Sequence, residues 1–540
     1  MVFPPKQFNG FPDLARYAAR MIICAARIKD KMDRRELPVE KATSREKGQP
    51  LCMAQNYRLF TSYREPGLKT DRLVNTEANG PRTQQQIILA CRNKFYALAL
   101  RGSKDWDSRI TEDEVAGCVL WVLENGEEET APVGMLTSQR RDLWAEQWTL
   151  LREYDANKEN MRLIEESLMV VCLDVKPLGS EFNRRGQSWG GRGTTAGQRD
   201  ETNMGHQMIH GGGSQYNSPN RWFDKTIQVV ITTDGVSGLC YEHSPSEGVA
   251  VIGLMEELID ACSDLAPSTK PLAAVNTPLK ELQWVKPPNI QKMISEAASS
   301  LDNFIEDLDF YVYRFDAYGK NFIKSCKISP DAYLQLALQL AYYKLYGCLT
   351  ATYESASTRR FLLGRVDCIR SASWEALQWV SAMTQGEAGD PLQPSKRVTF
   401  SLVTEDEKLA LFDAAVQKQT EIMVDNILGQ GIDVHLLGLR EQSKLMNMPM
   451  DLFNDESYRI CNHFALSTSQ VATKIGFMGY GPVVPDGYGA SYNILGDTII
   501  FCLSAFYSSE NTSTSRFAQS LEESLVAMQI LLQTKPTQTK

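Results

Sequence analysis

Histidine is the side chain whose charge changes nearest neutral pH, so a search for acid–base chemistry starts with the five in this chain: His206, His210, His243, His435 and His463. His206 and His210 are four apart, a spacing that binds zinc on a helix with a glutamate between and further ligands nearby. Here they lie in a Gly-rich stretch with no carboxylate cluster following, which argues against a metal. The run His210-Gly211-Gly212-Gly213 resembles the oxyanion loop of some esterases, but that mechanism needs a Gly-x-Ser-x-Gly elbow, and the sequence has none. There is also no Walker loop and no Gly-x-Gly-x-x-Gly after a strand, so nucleotide- and dinucleotide-dependent chemistry falls away.

His243 stands in a different setting. In YEHSPSEG it follows directly from a strand-like run, and Ser244-Pro245-Ser246-Glu247 reads as an N-cap, a first-turn proline and a capping-box glutamate. A histidine at such a strand-to-helix junction can be held rigidly at a cleft, as a general base must be. On local pattern two readings stand: a general base, or an ordinary junction residue beside a capping Glu247. Lys320, Lys324 and Lys327 likewise read either as an anion site or as a solvated face, and residue types alone favour the solvated face.

The elements that must position these residues alternate between helical and strand-like throughout, which makes the class α/β or α+β. IILACRNKFYALAL (Ile87–Leu100) predicts two strands around an Arg-Asn-Lys turn, and KTIQVVITT, Asp234-Gly235 and VSGLCY a second hairpin. A helix is predicted from Asp13 to about Lys31, with Leu14, Tyr17, Ala18, Met21 and Cys24 on one face. That reading is preferred to a mitochondrial presequence carrying Arg16, Arg20 and Arg27. Glu181 to Asn220 is expected to be an exposed, partly mobile loop, and Gln385 to Lys396 another. SPDAYLQLALQLAYYKLYG predicts a buried helix from Pro330 with Ser329 as its N-cap, and Thr404 to Ile427 an amphipathic one. Strands follow around GYGPVVPDGYGASYN and DTIIFCLSAFY, then a last helix from about Ser515 to Leu532 and a disordered tail after about Thr534. No internal repeat is visible in the sequence.

At 540 residues the chain exceeds a single core and predicts two large domains. With 43% hydrophobic and 23% charged residues it has the make-up of a globular protein, and no apolar run reaches the ~20 residues that cross a bilayer. Twelve scattered cysteines without a Cys-x-x-Cys pair read as reduced thiols in the cytosol. A net charge of −9 argues against nucleic acid as a partner.

The segment RWFDKTIQVVITTDGVSGLCYEHSPSEG, Arg221 to Gly248, resembles the active-site signature of the carnitine/choline acyltransferase family. Glu242, His243 and Glu247 occupy its acid, histidine and second acid. The likeness continues through YGKNFIKSCKISPDA, TYESASTRRF, GRVDCIRSAS, STSQ and YGPVVPDGYG, from residue 1 to about Leu532. It implies two domains with related mixed sheets flanked by helices, similar to the chloramphenicol-acetyltransferase-like fold, and an active-site tunnel between them. The expected division is 1–318, a catalytic domain carrying His243 and the Gly-rich insert of about 181–220, and 319–540, a CoA- and choline-binding domain.

The resemblance further implies acetyl transfer from acetyl-CoA, a co-substrate with no permanently bound cofactor, to the hydroxyl of choline. His243 is then the general base with Glu247 beside it, and Ser469 of Ser467-Thr468-Ser469 hydrogen-bonds the oxyanion. Lys320, Lys324, Lys327, Ser329 and Asp331, with Ser357, Arg359, Arg360 and Gln470, match CoA positions. Tyr353 and Tyr480 match aromatic positions beside a quaternary ammonium, which a π face can hold. Carnitine enzymes of the family have a Thr-acid-Thr triplet after Gly-Arg and an arginine before His-Leu-Leu. Here Val366-Asp367-Cys368 and Val434 stand in those places, so carnitine, whose carboxylate would lack a cation, is disfavoured. Val434 also departs from the asparagine of vertebrate-like choline enzymes. An acyltransferase for carnitine or another short amino alcohol is the second expectation; the third, because the family's opening segment is not matched here, is a truncated, non-catalytic isoform. A cytosolic monomer, in the nerve terminal by the family's example, completes the reading.

Overall fold

The chain reverses wherever a turn residue accepts a left-handed backbone. Between Cys91 and Lys94, Arg92 and Asn93 take φ of 46° and 69°, the pair a two-residue hairpin needs, and the expected strands form on either side. The structure is a computed structural model and describes residues 1–43, 46–77, 85–101, 109–183, 199–265, 272, 279–385, 403–474 and 476–534. Strands are numbered in chain order. β1 (Ser62–Glu65) and β2 (Arg72–Asn75) form a small antiparallel pair. A six-stranded sheet contains β3 (Gln86–Cys91), β4 (Lys94–Ala99), β5 (Val170–Asp174), β6 (Ile227–Thr232), β7 (Ser237–Tyr241) and β8 (Leu279–Glu281), in the order β7-β6-β5-β3-β4-β8. A second contains β9 (Leu308–Phe315), β10 (Thr352–Ser357), β11 (Val366–Ile369), β12 (Leu466–Gln470), β13 (Tyr488–Ile494) and β14 (Ile499–Phe506), in the order β11-β10-β12-β13-β14-β9.

The two sheets share one pattern. Each has three parallel strands at its centre, β6, β5, β3 in one and β10, β12, β13 in the other. One antiparallel strand flanks them on one side (β7; β11), and two flank them on the other (β4, β8; β14, β9). The fold is thus mixed α/β with two related mixed sheets, a kinship of topology that the sequence does not display as a repeat.

The described residues divide into two units. One holds those of Met1–Arg185, Gly193–Asp307 and Thr473–Met478, the other those of Leu308–Ala472 and Gly479–Lys540. The division falls before β9, ahead of the expected 318, because the strand's backbone bonds go to β14.

In the first unit the helix Phe11–Asp33 buries Leu14, Tyr17, Ala18 and Met21 as expected, but Cys24 of the same expected face only partly; Ala15, Ala19, Ile22, Ile23, Ala25 and Ala26 are buried besides. Arg221 and Asp174 form a bidentate pair at 2.9 and 2.7 Å, both side chains 0% exposed. In the second unit the helix Pro330–Tyr346 is buried without a break from Ala332 to Ala341, then stops at Gly347 in the left-handed conformation (φ 68°). Around it pack the helices Trp374–Thr384, Glu405–Ile427 and Thr514–Gln533. Glu405–Ile427, the amphipathic helix expected from Thr404, opens on a capping box of Thr404 and Glu407. Ser329 is the N-cap residue of Pro330–Tyr346, but its side chain makes no cap bond.

The Gly-rich insert departs from expectation. Residues 184–198 lie outside the described residues, as do 386–402 of the second expected loop and the tail after 534. From Asp200 on, the insert is a helix, Glu201–Ile209, whose Thr202, Asn203, His206 and Gln207 are buried, followed by the buried turn Gly211–Gly213. Apolar periodicity was a poor guide because polar side chains fill this core: Gln207 Nε2 donates to Asp174 at 2.6 Å and Asn217 Nδ2 to the Lys176 carbonyl at 2.6 Å.

Candidate active site

β7 ends at Tyr241, and the Glu242 N–H continues the ladder onto the Thr226 carbonyl at 3.1 Å. The chain then turns. The Glu242 carboxylate accepts the Ser244 N–H at 3.0 Å and the Ser244 hydroxyl at 2.7 Å, which closes the turn around His243. The imidazole lies against the Tyr241 ring, centroids 5.5 Å apart, and its side chain is 56% exposed. Nε2 stands 3.5 Å from Glu247 Oε2, whose side chain is 13% exposed.

The helix starts later than the sequence suggested, at Gly248, with Glu247 as N-cap residue making no side-chain cap bond. The capping-box reading of Ser244 and Glu247 is corrected: the Ser244 hydroxyl is spent on Glu242, and the Glu247 carboxylate faces the imidazole. What fixes Glu247 is Gln55, itself 3% exposed. Gln55 Oε1 accepts the Glu247 N–H at 2.7 Å, and its carbonyl accepts the Ser246 hydroxyl at 3.3 Å. The same segment goes on to line a cleft of about 640 Å³ with Ala54, Tyr57, Arg58, Phe60 and Ser62. Sequence reading passed over Gln55 and Arg64 (below), because an amide and an arginine in a loop carry no spacing signal.

His206 and His210 come together, but as each other's partners. His206 Nδ1 and His210 Nε2 are 2.9 Å apart, and His210 Nδ1 accepts the Gly212 N–H at 2.9 Å. Burial depresses both imidazoles, His206 to about 4 and His210 well below its ordinary value. Among the described residues no group of three or more His, Cys, Asp or Glu could hold a metal ion.

In the second unit Ser469 lies on β12 between β10 and β13, facing Ser491 in register. A buried network fixes the strand from its other side. Gln335 Nε2 donates to Thr468 Oγ1 and to the Tyr492 hydroxyl, both at 2.9 Å, and the Thr468 hydroxyl donates to the Tyr353 carbonyl at 2.7 Å. The Tyr492 hydroxyl donates to Asp331 at 2.7 Å, and Gln419 Nε2 to Glu354 at 2.8 Å. Burial first, then the charge of the hydrogen-bonded Asp331 carboxylate, push the Glu354 carboxyl well above the ordinary range. Tyr480 donates to the Ser467 carbonyl at 2.9 Å, and burial above all, with a smaller contribution from nearby Tyr353, raises its hydroxyl well above the ordinary value. The Tyr353 ring meets Phe464 edge-on at 5.5 Å.

Lys320, Lys324, Lys327 and Ser329 are exposed, on a short segment anchored by the buried Ile323. The Lys320 N–H donates to the Leu495 carbonyl at 2.8 Å and the Asn321 N–H to that of Gly496 at 2.9 Å. A Cβ at Gly319 would overlap the Leu495 oxygen and the Thr498 nitrogen, so only glycine lets this segment lie so close. Three ammonium groups on one exposed stretch suit a phosphate. Ser357 and Gln470 are exposed at the ends of β10 and β12, Arg360 is half-buried, and Arg359 is only 3% exposed.

The acceptor triplet splits across β11, as alternation demands. Asp367 is buried, accepting the Cys368 N–H at 2.8 Å and the Val434 N–H at 3.2 Å, at the start of the helix Asp433–Leu445. Val366 and Cys368 point to the other face of the strand. Val434 is 50% exposed. The nearby Arg370 is committed: Nε donates to Asp433 at 3.0 Å and Nη1 to the Cys461 carbonyl at 2.6 Å.

A two-sheet fold with a histidine–glutamate pair behind β7 and a serine on a braced central strand has the parts of an acyl-transfer enzyme. Residues 1–523 match the family described as Choline/Carnitine o-acyltransferase, and the chain belongs to that family. It is an acyltransferase. Choline O-acetyltransferase of Drosophila melanogaster is 50% identical over 99% of this chain and 76% of its own length. Choline O-acetyltransferase of Sus scrofa is 38% identical over 98% of this chain and 78% of its own. Carnitine O-acetyltransferase of Columba livia is also 38% identical, over 99% of this chain and 80% of its own. Identity at the vertebrate level therefore does not separate the two acceptors; the fly protein stands apart.

Proposed function

We propose that the chain transfers the acetyl group of acetyl-CoA to the hydroxyl of choline, giving acetylcholine and CoA. The single observation that carries this is the 50% identity, over 99% of the chain, to the fly Choline O-acetyltransferase. The acceptor positions support it. Val366, Cys368 and Val434 supply neither hydroxyl nor charge for a carboxylate, Asp367 would repel one, and Arg370 is held by Asp433. Tyr353 and Tyr480 supply π faces for a trimethylammonium.

In the proposed mechanism the exposed imidazole of His243 takes the proton of the choline hydroxyl as its oxygen attacks the thioester carbonyl. Glu247 orients the ring and stabilises the imidazolium. The hydroxyl of Ser469 donates to the oxyanion, a contact of a kind worth ~3 kcal/mol in the transition state. When the C–S bond breaks, the CoA thiolate recovers the proton from His243. Lys320, Lys324 and Lys327 bind the CoA phosphates as the family's motif implies.

Radiolabelled transfer from acetyl-CoA, run with choline and carnitine side by side, tests the proposal. Labelled acetylcholine as the main product is expected. Preferential acetylcarnitine, or no ester from either alcohol, would overturn it.

A further inference from the structure

Two acids bracket His243 in sequence, and the structure handles them differently. Glu247 faces the imidazole. Glu242 turns toward Ser244 and toward Arg64 Nη1, which approaches its Oε1 at 3.6 Å; the Glu242 side chain is 11% exposed. Arg64 arrives there already fixed. Its backbone N–H in β1 donates to the Asp224 carbonyl at 2.9 Å, and its Nε donates to Asp71 Oδ2 at 2.6 Å. Asp71 is itself held by Arg141 Nε at 2.7 Å and the Gly67 N–H at 3.0 Å. Burial works against its charge, but these donors keep its carboxyl below the ordinary range. Arg141 closes the frame, donating to the Arg64 carbonyl at 3.2 Å and pairing with Asp224.

An uncompensated Glu242 would set a second negative charge beside the imidazole and, since opposite charges favour the ionised form, hold a proton on it when a base is needed. We propose that Arg64 is a positioning residue for His243: by pairing with Glu242 it fixes the Glu242–Ser244 turn, cancels that acid's charge, and leaves the imidazole to Glu247. The inference rests on His243 being the general base. The groups that bear on it are Arg64 on β1 against Glu242, Asp71, Arg141 and Asp224 behind Arg64, and Glu247 and the Tyr241 ring against His243.

The test compares Arg64→Gln, Glu242→Gln and the double variant with the parent protein. The ring resonances of the five histidines are titrated by NMR, with His243→Ala making the assignment. In Arg64→Gln the His243 midpoint should rise by about half a pH unit or more, the size expected of one charge a few ångströms away in a partly hydrated site. The acid limb of kcat/KM for choline should move the same way, with KM for acetyl-CoA changed less than about twofold. The double variant should return both to the parent values, which a merely structural role for Arg64 would not produce. Glu242→Gln alone should lower the midpoint by a similar amount, because it leaves the Arg64 charge uncompensated beside the imidazole. An unmoved midpoint in a folded Arg64→Gln protein, a double variant that fails to restore it, or a midpoint that does not fall in Glu242→Gln overturns the inference; the last remains measurable if Arg64→Gln does not fold. The ring titration needs no acetyl transfer, so absence of transfer to choline in every protein tells against the proposed function and not against the pairing.

Discussion

His210 donates through Nε2 to His206 Nδ1 across 2.9 Å, and the direction is fixed because His210 Nδ1 already accepts the Gly212 N–H. Both rings are therefore neutral, in one defined tautomer each. The Phe182 ring packs on both, at 5.5 and 6.0 Å between centroids. Together the two imidazoles lock the turn Gly211–Gly213 into the core of the first unit.

Acid should therefore weaken the fold at this pair. His206 titrates at about 4 when folded and near 6.5 when unfolded, so its contribution is complete above 6.5 and declines as the pH falls toward 4. The loss reaches about 3 kcal/mol for His206 alone. Denaturant melts between pH 7.5 and 5 should show stability falling with pH, and His206→Gln, whose amide oxygen can still accept from His210, should reduce the proton uptake on unfolding by close to one. An unchanged uptake would contradict the assignment.

Loss of the base should be severe and local. His243→Ala is expected to lower acetyl transfer 10²–10⁴-fold, the usual range for a general base. The side chain is 56% exposed, so melting temperature and CoA binding should stay close to the parent's. More than about a tenth of the parent rate in this variant would remove His243 from the mechanism.

Glu354 gives the opposite pH dependence. Its carboxyl is raised when folded, so what it contributes is complete below about pH 4.5 and is lost as the pH rises toward the folded value. Glu354→Gln keeps a hydrogen-bond donor toward Asp331 without the ionisable proton. It should be at least as stable as the parent at pH 8 and retain most activity, while Glu354→Ala should lose both by unbracing β12. Equal damage from Gln and Ala would show that the network does not depend on a neutral hydrogen-bonding group at position 354.

Acceptor choice should be reversible at the second unit. Val434→Arg with Val366→Thr and Cys368→Thr supplies the cation and hydroxyls that carnitine enzymes carry. Asp367 is best left alone: it accepts the Val434 N–H, and a Cβ on Gly431 would already overlap its Oδ2. A charge-assisted bond of about 1.5–3 kcal/mol predicts a rise in the carnitine-to-choline ratio of kcat/KM of roughly 10- to 100-fold. A ratio that stays put would mean the acceptor carboxylate is read elsewhere.

The 3′-phosphate can be tested by charge reversal. Lys320→Glu with Lys324→Glu should raise KM for acetyl-CoA by about tenfold or more at low salt, and leave KM for the dephospho-analogue much less affected, since exposed charges act mainly on charges. Equal effects on both substrates would place the phosphate away from these lysines.

Local chemistry settled much of this protein from the sequence alone. The Arg92-Asn93 and Asp234-Gly235 turns, the amphipathic pattern from Thr404 and the run of apolar residues after Pro330 each act over a few residues, so their hairpins and helices were legible before any fold was known. The motif around His243 fixed the family for the same reason: it is contiguous. What sequence could not reveal acts across distance. The shared strand order of the two sheets is a matter of which strands pair, and outside the hairpins pairing joins partners from about twenty to nearly two hundred residues apart. The polar core at His206, Gln207 and Asn217 looked like a solvated loop because periodicity counts only apolar residues. Gln55 and Arg64 reach the His243 turn from nearly 190 residues upstream, and the acids at positions 242 and 247 are told apart only by which cation or donor the tertiary structure brings to each. Hydrogen bonds and ion pairs are short-ranged and directional, so their partners are set by the packed chain and not by spacing along it.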